Sequence, residues 1–303
     1  MSHRKLIATD LDWTLIYSHR FFGDDFDASV AGLCCVEIHE GEQVSFMTTG
    51  AAKLLAELAD RHFVVPATTR TVTQFTRIAL PGAPYRFAVV SNGGSILVDG
   101  TPDADWSFAV RSRLQADSAP ISQVLSMLRT RVCAKWVRGT RVADGLFCYL
   151  VLDDVAVAGE FVGELRAWCE PRGWRVSQQG RKLYVVPRTL CKSYAVAEVR
   201  RRLVASGELD GNAPLLAAGD GALDADLLGY ADAAARPAHG ELHTQGWHTE
   251  GLVVTDCRGA DAADQILEWF GSARTSRANP DRRSGLPTPD RLRRGEEGLN
   301  VGC

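Results

Sequence analysis

The sequence predicts an α/β protein, a doubly wound parallel sheet interrupted by an inserted α+β unit. Three observations predict this. Short apolar runs at Leu6-Ile7-Ala8, Phe63-Val64-Val65-Pro66-Ala67 and Leu215-Leu216-Ala217-Ala218 read as strands buried on both faces, and each ends in carboxylates or hydroxyls. Amphipathic helical patterns lie between such runs, as parallel crossovers require. Between residues 121 and 186 the pattern instead reads helix, strand, strand, twice over, which suits a compact antiparallel unit.

The first run delivers Asp10 and Asp12 at its carboxyl end, the edge where open α/β sheets hold ligands. Residues i and i+2 of an extended chain point the same way, so the two carboxylates face each other unless the backbone turns between them. Like charges about 4 Å apart repel by roughly 4 kcal/mol at an effective dielectric near 20. A divalent cation removes that cost, and hard oxygen ligands favour Mg²⁺. The plainer reading of this pair taken alone is a strand end running into an Asp-rich turn.

Residues 17 to 32 show no clear period. Cys34 to His39 and Gln43 to Met47 read as a hairpin through Glu40-Gly41-Glu42 that could narrow an entrance to the strand ends. Thr49-Gly50 opens an amphipathic helix, Ala51 to Arg61. The second buried strand ends in Thr68-Thr69-Arg70-Thr71, and a helix follows from Val72 to Leu80. Phe87 to Val90 and Ser95 to Val98 form a hairpin around the turn Asn92-Gly93-Gly94.

From about residue 103 the pattern changes. Helix Ile121 to Val132 precedes strands Ala134 to Val142 and Leu146 to Leu152; helix Ala158 to Cys169 precedes strands Arg175 to Gln178 and Leu183 to Val186. An insertion at the carboxyl ends of core strands naturally becomes a lid. The expected organisation is a core of residues 1–102 and 188–271, an inserted cap of residues 103–187, and a tail. The core resumes at Lys192, which opens helix Ser193 to Leu203. The third buried strand follows and ends in Gly219-Asp220-Gly221-Ala222-Leu223-Asp224. Helix Asp226 to Tyr230, a short strand near Ala233, strand Leu252 to Val254 and helix Ala260 to Phe270 complete it. Residues 272–303 lack an apolar period, and seven arginines against four acids give them a net charge of +3, so they read as a disordered, solvated tail.

A hydrophobic fraction of 46% with 23% charged residues is ordinary for a soluble globular chain. The formal net charge of −3 supplies no general attraction to nucleic acid or to an anionic membrane. No apolar run has membrane-spanning length. His3, Arg4 and Lys5 give way to Asp10 and Asp12 within one strand, leaving no secretory core, so a cytoplasmic protein is expected. The eight cysteines are scattered without a C-x-x-C pair and read as buried free thiols. His239, His243 and His248 read as solvated loop residues, because no cysteine or carboxylate spacing beside them supports zinc.

Four signals coincide at one sheet edge: Asp10 with Asp12, Thr68, Lys192, and Asp220 with Asp224. Together they supply what phosphoryl transfer needs. There is a carboxylate nucleophile, a carboxylate for proton transfer, a hydroxyl and an ammonium for phosphoryl oxygens, and acidic ligands for Mg²⁺.

These residues resemble the motifs of the haloacid dehalogenase superfamily of phosphohydrolases. Asp10-Leu11-Asp12-Trp13-Thr14 matches the first motif, D-x-D-x-T. Thr68 in Ala67-Thr68-Thr69-Arg70 resembles the second, in the version of the type IIB capped subclass. Lys192 matches the third, and Gly219-Asp220-Gly221-Ala222-Leu223-Asp224 matches the fourth, G-D-x-x-x-D. The Ser91-Asn92-Gly93-Gly94 turn and the helix-strand-strand repeat are also similar to that subclass and its cap, and the match runs in order from residue 5 to 270.

The resemblance implies a Rossmann-like core with an αββαββ cap and a role for each residue. Asp10 would attack phosphorus to form an aspartyl-phosphate. Asp12 would protonate the leaving oxygen and then deprotonate water. Thr68 and Lys192 would hold the phosphoryl group. Mg²⁺ would sit on the Asp10 carboxylate, the Asp12 carbonyl and the Asp220 carboxylate, with Asp224 direct or through water. Thr14 would order the turn. Three positions depart from the subclass pattern. Trp13 stands where glycine is usual, Thr69 replaces the glycine before Arg70, and Leu223 stands where many relatives carry asparagine.

Arg70 is read either as a substrate contact or as a helix-start arginine paired with a carboxylate. Asn92 is read first as a turn residue, then as a pocket residue. In the cap, Gln178, Gln179, Arg181 and Lys182 form a polar turn that could face the active site, or a solvated hairpin tip. Gln178 and Arg181 are the substrate contacts expected there.

The favoured reading is a Mg²⁺-dependent phosphatase of a small phosphorylated metabolite such as a sugar phosphate, as in the sucrose-phosphate and mannosyl-phosphoglycerate phosphatases of the subclass. It would act as a monomer or homodimer without nucleic-acid or membrane partners. A cap that closes over the site requires a compact substrate, and nucleotide or specialised metabolites stay open. A phospho-accepting signalling module is the reading from another class. Such modules lack the inserted cap, and stable phosphorylation does not want a base as near as Asp12. A non-catalytic binding protein on the same fold is the third, against which the complete set Asp10, Asp12, Thr68, Lys192 and Asp220 argues.

Overall fold

The computed structural model describes residues 4–22, 32–132, 136–153 and 159–273. Most of the arginine-rich tail, Cys133, Ala134, Ala158 and the middle of the 17–32 segment lie outside these.

In chain order the first part comprises β1 (Leu6–Thr9), β2 (Tyr17–Ser18), the hairpin β3 (Leu33–His39) and β4 (Glu42–Thr48), α1 (Thr49–Arg61), β5 (Phe63–Pro66), α2 (Val72–Phe75), the hairpin β6 (Phe87–Val90) and β7 (Ser95–Val98), β8 (Thr101–Pro102) and α3 (Ala104–Asp117). Next come α4 (Ile121–Arg131), β9 (Val137–Ala143), β10 (Phe147–Leu152), α5 (Gly159–Cys169), β11 (Trp174–Gln179) and β12 (Lys182–Pro187). The last part holds α6 (Lys192–Ala205), β13 (Leu215–Ala218), α7 (Ala225–Tyr230), β14 (Ala233–Arg236), α8 (Glu241–Thr244), β15 (Leu252–Val254) and α9 (Ala260–Ser272).

A parallel sheet of order β15-β14-β13-β1-β5 forms the centre. β1 lies between β13 and β5, with Leu6 opposite both Leu215 and Phe63. Successive side chains of a strand alternate between faces, so both faces of these strands must be apolar. Leu6, Ala8, Val65, Leu215 and Ala217 pack with Val196, Val199 and Leu203 of α6. Ile7, Val64 and Leu216 pack on the opposite face with Leu55 and Leu58 of α1 and with Ile266, Leu267 and Phe270 of α9. The strand order puts the carboxyl ends of β1, β5 and β13 side by side.

The inserted unit is an antiparallel sheet of order β11-β12-β10-β9. Cys148, Leu150, Leu183 and Val185 pack with Val124 and Leu128 of α4 and with Val162 and Leu165 of α5. The opposite face carries Ser177, Tyr184 and Tyr149, which are cross-strand partners, and beside them the partners Gln179 and Lys182.

Three helices differ from the sequence reading. The expected helix from Val72 to Leu80 is only the single turn α2, because the chain beyond it pairs with β3: Ala79 N–H donates to Val36 O, and Glu37 bridges to Ile78. α3 occupies a stretch for which no element is predicted. Its buried residues, Trp106 and Val110, form too narrow an apolar stripe to stand out. α8 lies in the histidine-containing loop. Cys34, Cys35, Cys148, Cys169, Cys191 and Cys257 are free, but only Cys148, Cys169 and Cys191 are buried. Among the described residues no helix is long and apolar enough to cross a membrane.

Candidate active site

Asp10 follows β1 and is held against the next strand by its N–H, which donates to Ala218 O at 2.9 Å. The chain then turns sharply, with Leu11 O accepting from the N–H groups of Thr14, Leu15 and Ile16 at 3.2, 2.8 and 2.9 Å. Trp13 sits in this turn at φ 65, the left-handed region that disfavours a side chain by roughly 1–2 kcal/mol. Packing offsets that cost. Its ring meets Phe21 edge-on at 5.6 Å, and its carbonyl accepts from Tyr17 Oη at 3.1 Å and His239 Nε2 at 2.8 Å. Beyond the turn the Asp12 carboxylate pairs with Arg70. His239 is thus not a solvated residue: Nε2 donates to Trp13 O and Nδ1 accepts from Gly259 N–H at 3.2 Å, and burial pulls its pKa down despite the Trp13 bond.

Lys192 opens α6 and is buried to 1% exposure, its Nζ lying 2.6 Å from Asp10 Oδ1 and 2.6 Å from Asp224 Oδ1. The turn at residues 91–94 places the start of this helix. Asn92 N–H donates to Thr68 O at 2.9 Å and its side-chain Nδ2 to Leu190 O at 2.7 Å, which ties the end of β5 to the entry of α6. Gly93, at φ 94, lies so close that an added Cβ would stand 2.3 Å from Cys191 O. Asn92 is fully buried, so its turn role dominates, and its Oδ1 is left without a hydrogen-bond partner.

Asp220, just past the end of β13, is fully buried. Its Oδ1 accepts from Gln179 Nε2 at 2.9 Å, while Oδ2 is buried with no donor. Asp224 Oδ2 accepts from Gly221 N–H at 3.0 Å. Oxygens of Asp10, Asp220 and Asp224 all lie within 4.8 Å of one another. Three carboxylates against one ammonium leave two buried negative charges, the charge a divalent cation would neutralise. Burial first, and then the charge of Asp224, push Asp10 up to about 7 against the partial relief from Lys192. Burial and the charges of Asp10 and Asp224 likewise raise Asp220 far above the usual carboxylate range. Burial alone would lower Lys192, but its two carboxylate partners outweigh it and raise it. Hard oxygens, an orphaned buried carboxylate oxygen and an excess of negative charge fit Mg²⁺.

Thr68 is buried, and its Oγ1 accepts from Arg70 N–H at 3.1 Å. Its neighbour Thr69, rather than Thr68, lines the cleft above Asp10. Of the two readings left open for Arg70, the carboxylate pair is the one formed. Nε and Nη2 grip Asp12 Oδ2 and Oδ1 at 2.8 and 2.7 Å, and Nη1 reaches Glu37 Oε2 at 2.7 Å. Burial would raise Asp12, but the charge and hydrogen bonds of Arg70 outweigh it and hold the carboxyl at about 2.

The cap hairpin closes the cleft, and here the expected contacts shift by one residue. Gln179, not Gln178, turns toward the core, donating to Asp220 Oδ1 at 2.9 Å and more weakly to Asp12 O at 3.4 Å. Strand alternation explains the difference, since Ser177 and Gln179 share one face and Gln178 takes the other. Arg181 is not among the residues brought to the cleft. Its Nε donates to Leu152 O at 2.7 Å and its Nη2 to Asp153 at 2.8 Å, both within the cap. The resulting cleft is lined by Asp10, Thr69, Ser177, Gln179, Tyr184, Lys192, Gly221, Leu223 and Asp224. Two further residues escaped the sequence reading. Glu37 carried a signal, a charge inside an otherwise apolar strand. Glu241, which accepts from Ser177 Oγ at 2.7 Å and from Ala222 N–H at 3.0 Å, carried none in its polar loop.

No protein-family model matches the chain, and no curated protein matches it in sequence. Among solved structures, the sucrose-phosphatase of Synechocystis sp., in complex with sucrose and phosphate, is similar with a TM-score of 0.57 and 13% identity, covering 89% of this chain and 98% of that one. The trehalose-6-phosphate phosphatase C-terminal domain of C. albicans is similar with a TM-score of 0.54 and 12% identity, covering 90% and 93%. A subclass IIB sugar phosphatase of the haloacid dehalogenase superfamily gives a TM-score of 0.51 at 12% identity, covering 88% and 99%. The chain has the fold of these phosphatases, a Rossmann-like core with a cap.

Proposed function

We propose that the chain is a Mg²⁺-dependent phosphohydrolase that removes phosphate from a small phosphorylated metabolite, of the sugar-phosphate class, with residues 103–187 acting as the cap. The observation that carries this reading is the meeting of Asp10, Lys192, Asp220 and Asp224 from three distant segments, with Lys192 Nζ 2.6 Å from both Asp10 and Asp224. Likeness in fold to phosphatases that the solved structures name as acting on sugar phosphates supports the substrate class. So does the cap face, whose Ser177, Gln179, Lys182, Tyr184 and Tyr149 offer hydroxyls, an amide and an ammonium to a hydroxylated leaving group.

Asp10 attacks phosphorus, and the bond from phosphorus to the leaving oxygen breaks. Lys192, already pinned to Asp10, offsets the charge shared by nucleophile and phosphoryl group, while the hydroxyls of Thr68 and Thr69 stand at the adjacent strand end. Asp12 is ionised beside Arg70 in the free chain; an entering phosphate adds negative charge, which favours its protonated form. It takes up a proton from solvent as the substrate enters and then gives that proton to the leaving oxygen. In the second half Asp12 takes a proton from water, the water oxygen attacks phosphorus, and Asp10 is released as a carboxylate. The carboxylates of Asp10 and Asp220 and the carbonyl of Asp12 would hold Mg²⁺, with Asp224 beside them. When bound, the ion supplies positive charge against the negative charge gathered at the phosphoryl group.

Phosphate release from a panel of phosphorylated sugars and nucleotides tests the reading. Turnover is expected with Mg²⁺ on at least one sugar phosphate and is expected to vanish with a chelator. A chain that releases no phosphate from any member of the panel with Mg²⁺ present would contradict it.

A further inference from the structure

Arg70 is shared between two carboxylates, and the second of them is built into the fold with care. Glu37 lies on β3, 2% exposed, next to Val36, which is 3% exposed. Neighbouring strand residues normally face opposite sides, and β3 is irregular at Glu37. Its pairing with β4 shifts register between Cys35 and Glu37 and again between Glu37 and Ile38. Such bulges re-aim side chains beside functional sites. Both Glu37 oxygens are then filled: Oε2 by Ser45 Oγ at 2.7 Å and Arg70 Nη1 at 2.7 Å, Oε1 by Arg77 Nη2 at 3.1 Å and Nε at 3.3 Å.

A buried ion pair of this kind is a weak source of stability, because desolvation cancels most of the attraction. What it fixes is direction. With Nη1 anchored on Glu37, the planar guanidinium can present only its Nε and Nη2 edge to Asp12, and it does so with two bonds of 2.8 and 2.7 Å. We propose that Glu37 is a positioning residue for proton transfer to the leaving group, orienting the Asp12 carboxylate through Arg70. The proposal rests on the phosphohydrolase reading above. The hairpin β3–β4 is thereby part of the catalytic apparatus and not only a wall at the entrance.

Leaving-group dependence tests it. The kcat/KM value covers the steps up to departure of the leaving group, and a nitrophenolate departs with little need of a proton whereas a phenolate needs one. The ratio of kcat/KM for p-nitrophenyl phosphate to that for phenyl phosphate is therefore measured for the wild-type chain, Glu37→Gln, Glu37→Asp and Arg77→Gln, each with Mg²⁺. In Glu37→Gln the ratio is expected to rise about tenfold or more, a fraction of what proton transfer contributes. Glu37→Asp, which keeps the charge but shortens the reach, is expected to raise it about threefold, and it reports should Glu37→Gln fail to fold. Arg77→Gln removes the arginine on Glu37 Oε1 without touching Arg70, and its ratio is expected to stay at the wild-type value even if its Tm falls. Ratios within twofold of wild type in the folded Glu37 variants, or a rise in Arg77→Gln matching theirs, overturn the proposal. Absence of phosphate release by the wild-type chain from both esters and from every sugar phosphate and nucleotide of the panel instead sinks the phosphohydrolase reading itself.

Discussion

Asp10, Asp220 and Asp224 crowd around a single ammonium, and this imbalance has a measurable consequence for metal binding. Burial and the Asp224 charge raise Asp10 to about 7, against about 4 in an unfolded chain. A raised carboxyl contributes stability that is present below about pH 4 and lost as pH rises through about 7. A divalent cation reverses this by favouring the ionised form. We therefore expect Mg²⁺ to raise Tm more at pH 8 than at pH 5, and saturating Mg²⁺ at about a hundred times Kd to add about 2.7 kcal/mol. Equal stabilisation at both pH values would contradict this. The meeting of Asp10, Lys192, Asp220 and Asp224 was legible because each follows a core strand or opens a core helix at one edge of the parallel sheet. The partner of Asp12 was not, since Arg70 reaches it only through the tertiary fold.

Elements place these residues by close approach of backbones. The turn at Asn92-Gly93 presses against Cys191, just before Lys192, with a Gly93 φ of 94 and no room for a Cβ, which would fall 2.3 Å from Cys191 O. Gly93→Ala is expected to lower stability by about 2–4 kcal/mol and to cut kcat by pulling Lys192 from Asp10, read by denaturant melts and turnover. A wild-type midpoint would show that the turn does not set the helix. The strands β1, β5 and β13 were legible in their apolar runs, and the β6–β7 hairpin in its Asn-Gly turn. The shortening of α2 was not, because residues beyond Phe75 gave up helical bonds to pair with β3, a long-range competitor invisible to local pattern. Within the cap, Gln178 and Gln179 both read as polar turn residues, and only the register of β11 against β12 separates the one that turns to the core.

At the scale of the whole molecule, several contacts join cap to core; besides Gln179 with Asp220 and Arg175 with Asp226, two more stand out. Glu241 of the core receives Ser177 Oγ at 2.7 Å and Gln178 N–H at 3.2 Å, and Asp144 at the tip of the β9–β10 hairpin receives Ser91 Oγ. Loss of the first contact should favour an open cap. Glu241→Ala is expected to raise KM roughly tenfold, equivalent to about 1.4 kcal/mol, with a smaller change in kcat. An unchanged KM would place closure elsewhere. The cap itself was legible as a repeated helix-strand-strand pattern, whereas its latches depend on Glu241 in a polar loop whose helix α8 is a single turn. The central claim, that Asp10 carries the phosphoryl group, is tested most directly by acid-quenching the chain during turnover and mapping the phosphoryl adduct by mass spectrometry. We expect the added mass on the peptide bearing Asp10 and its disappearance, together with turnover, in Asp10→Asn. Sustained turnover in Asp10→Asn, or an adduct on another residue, would contradict it.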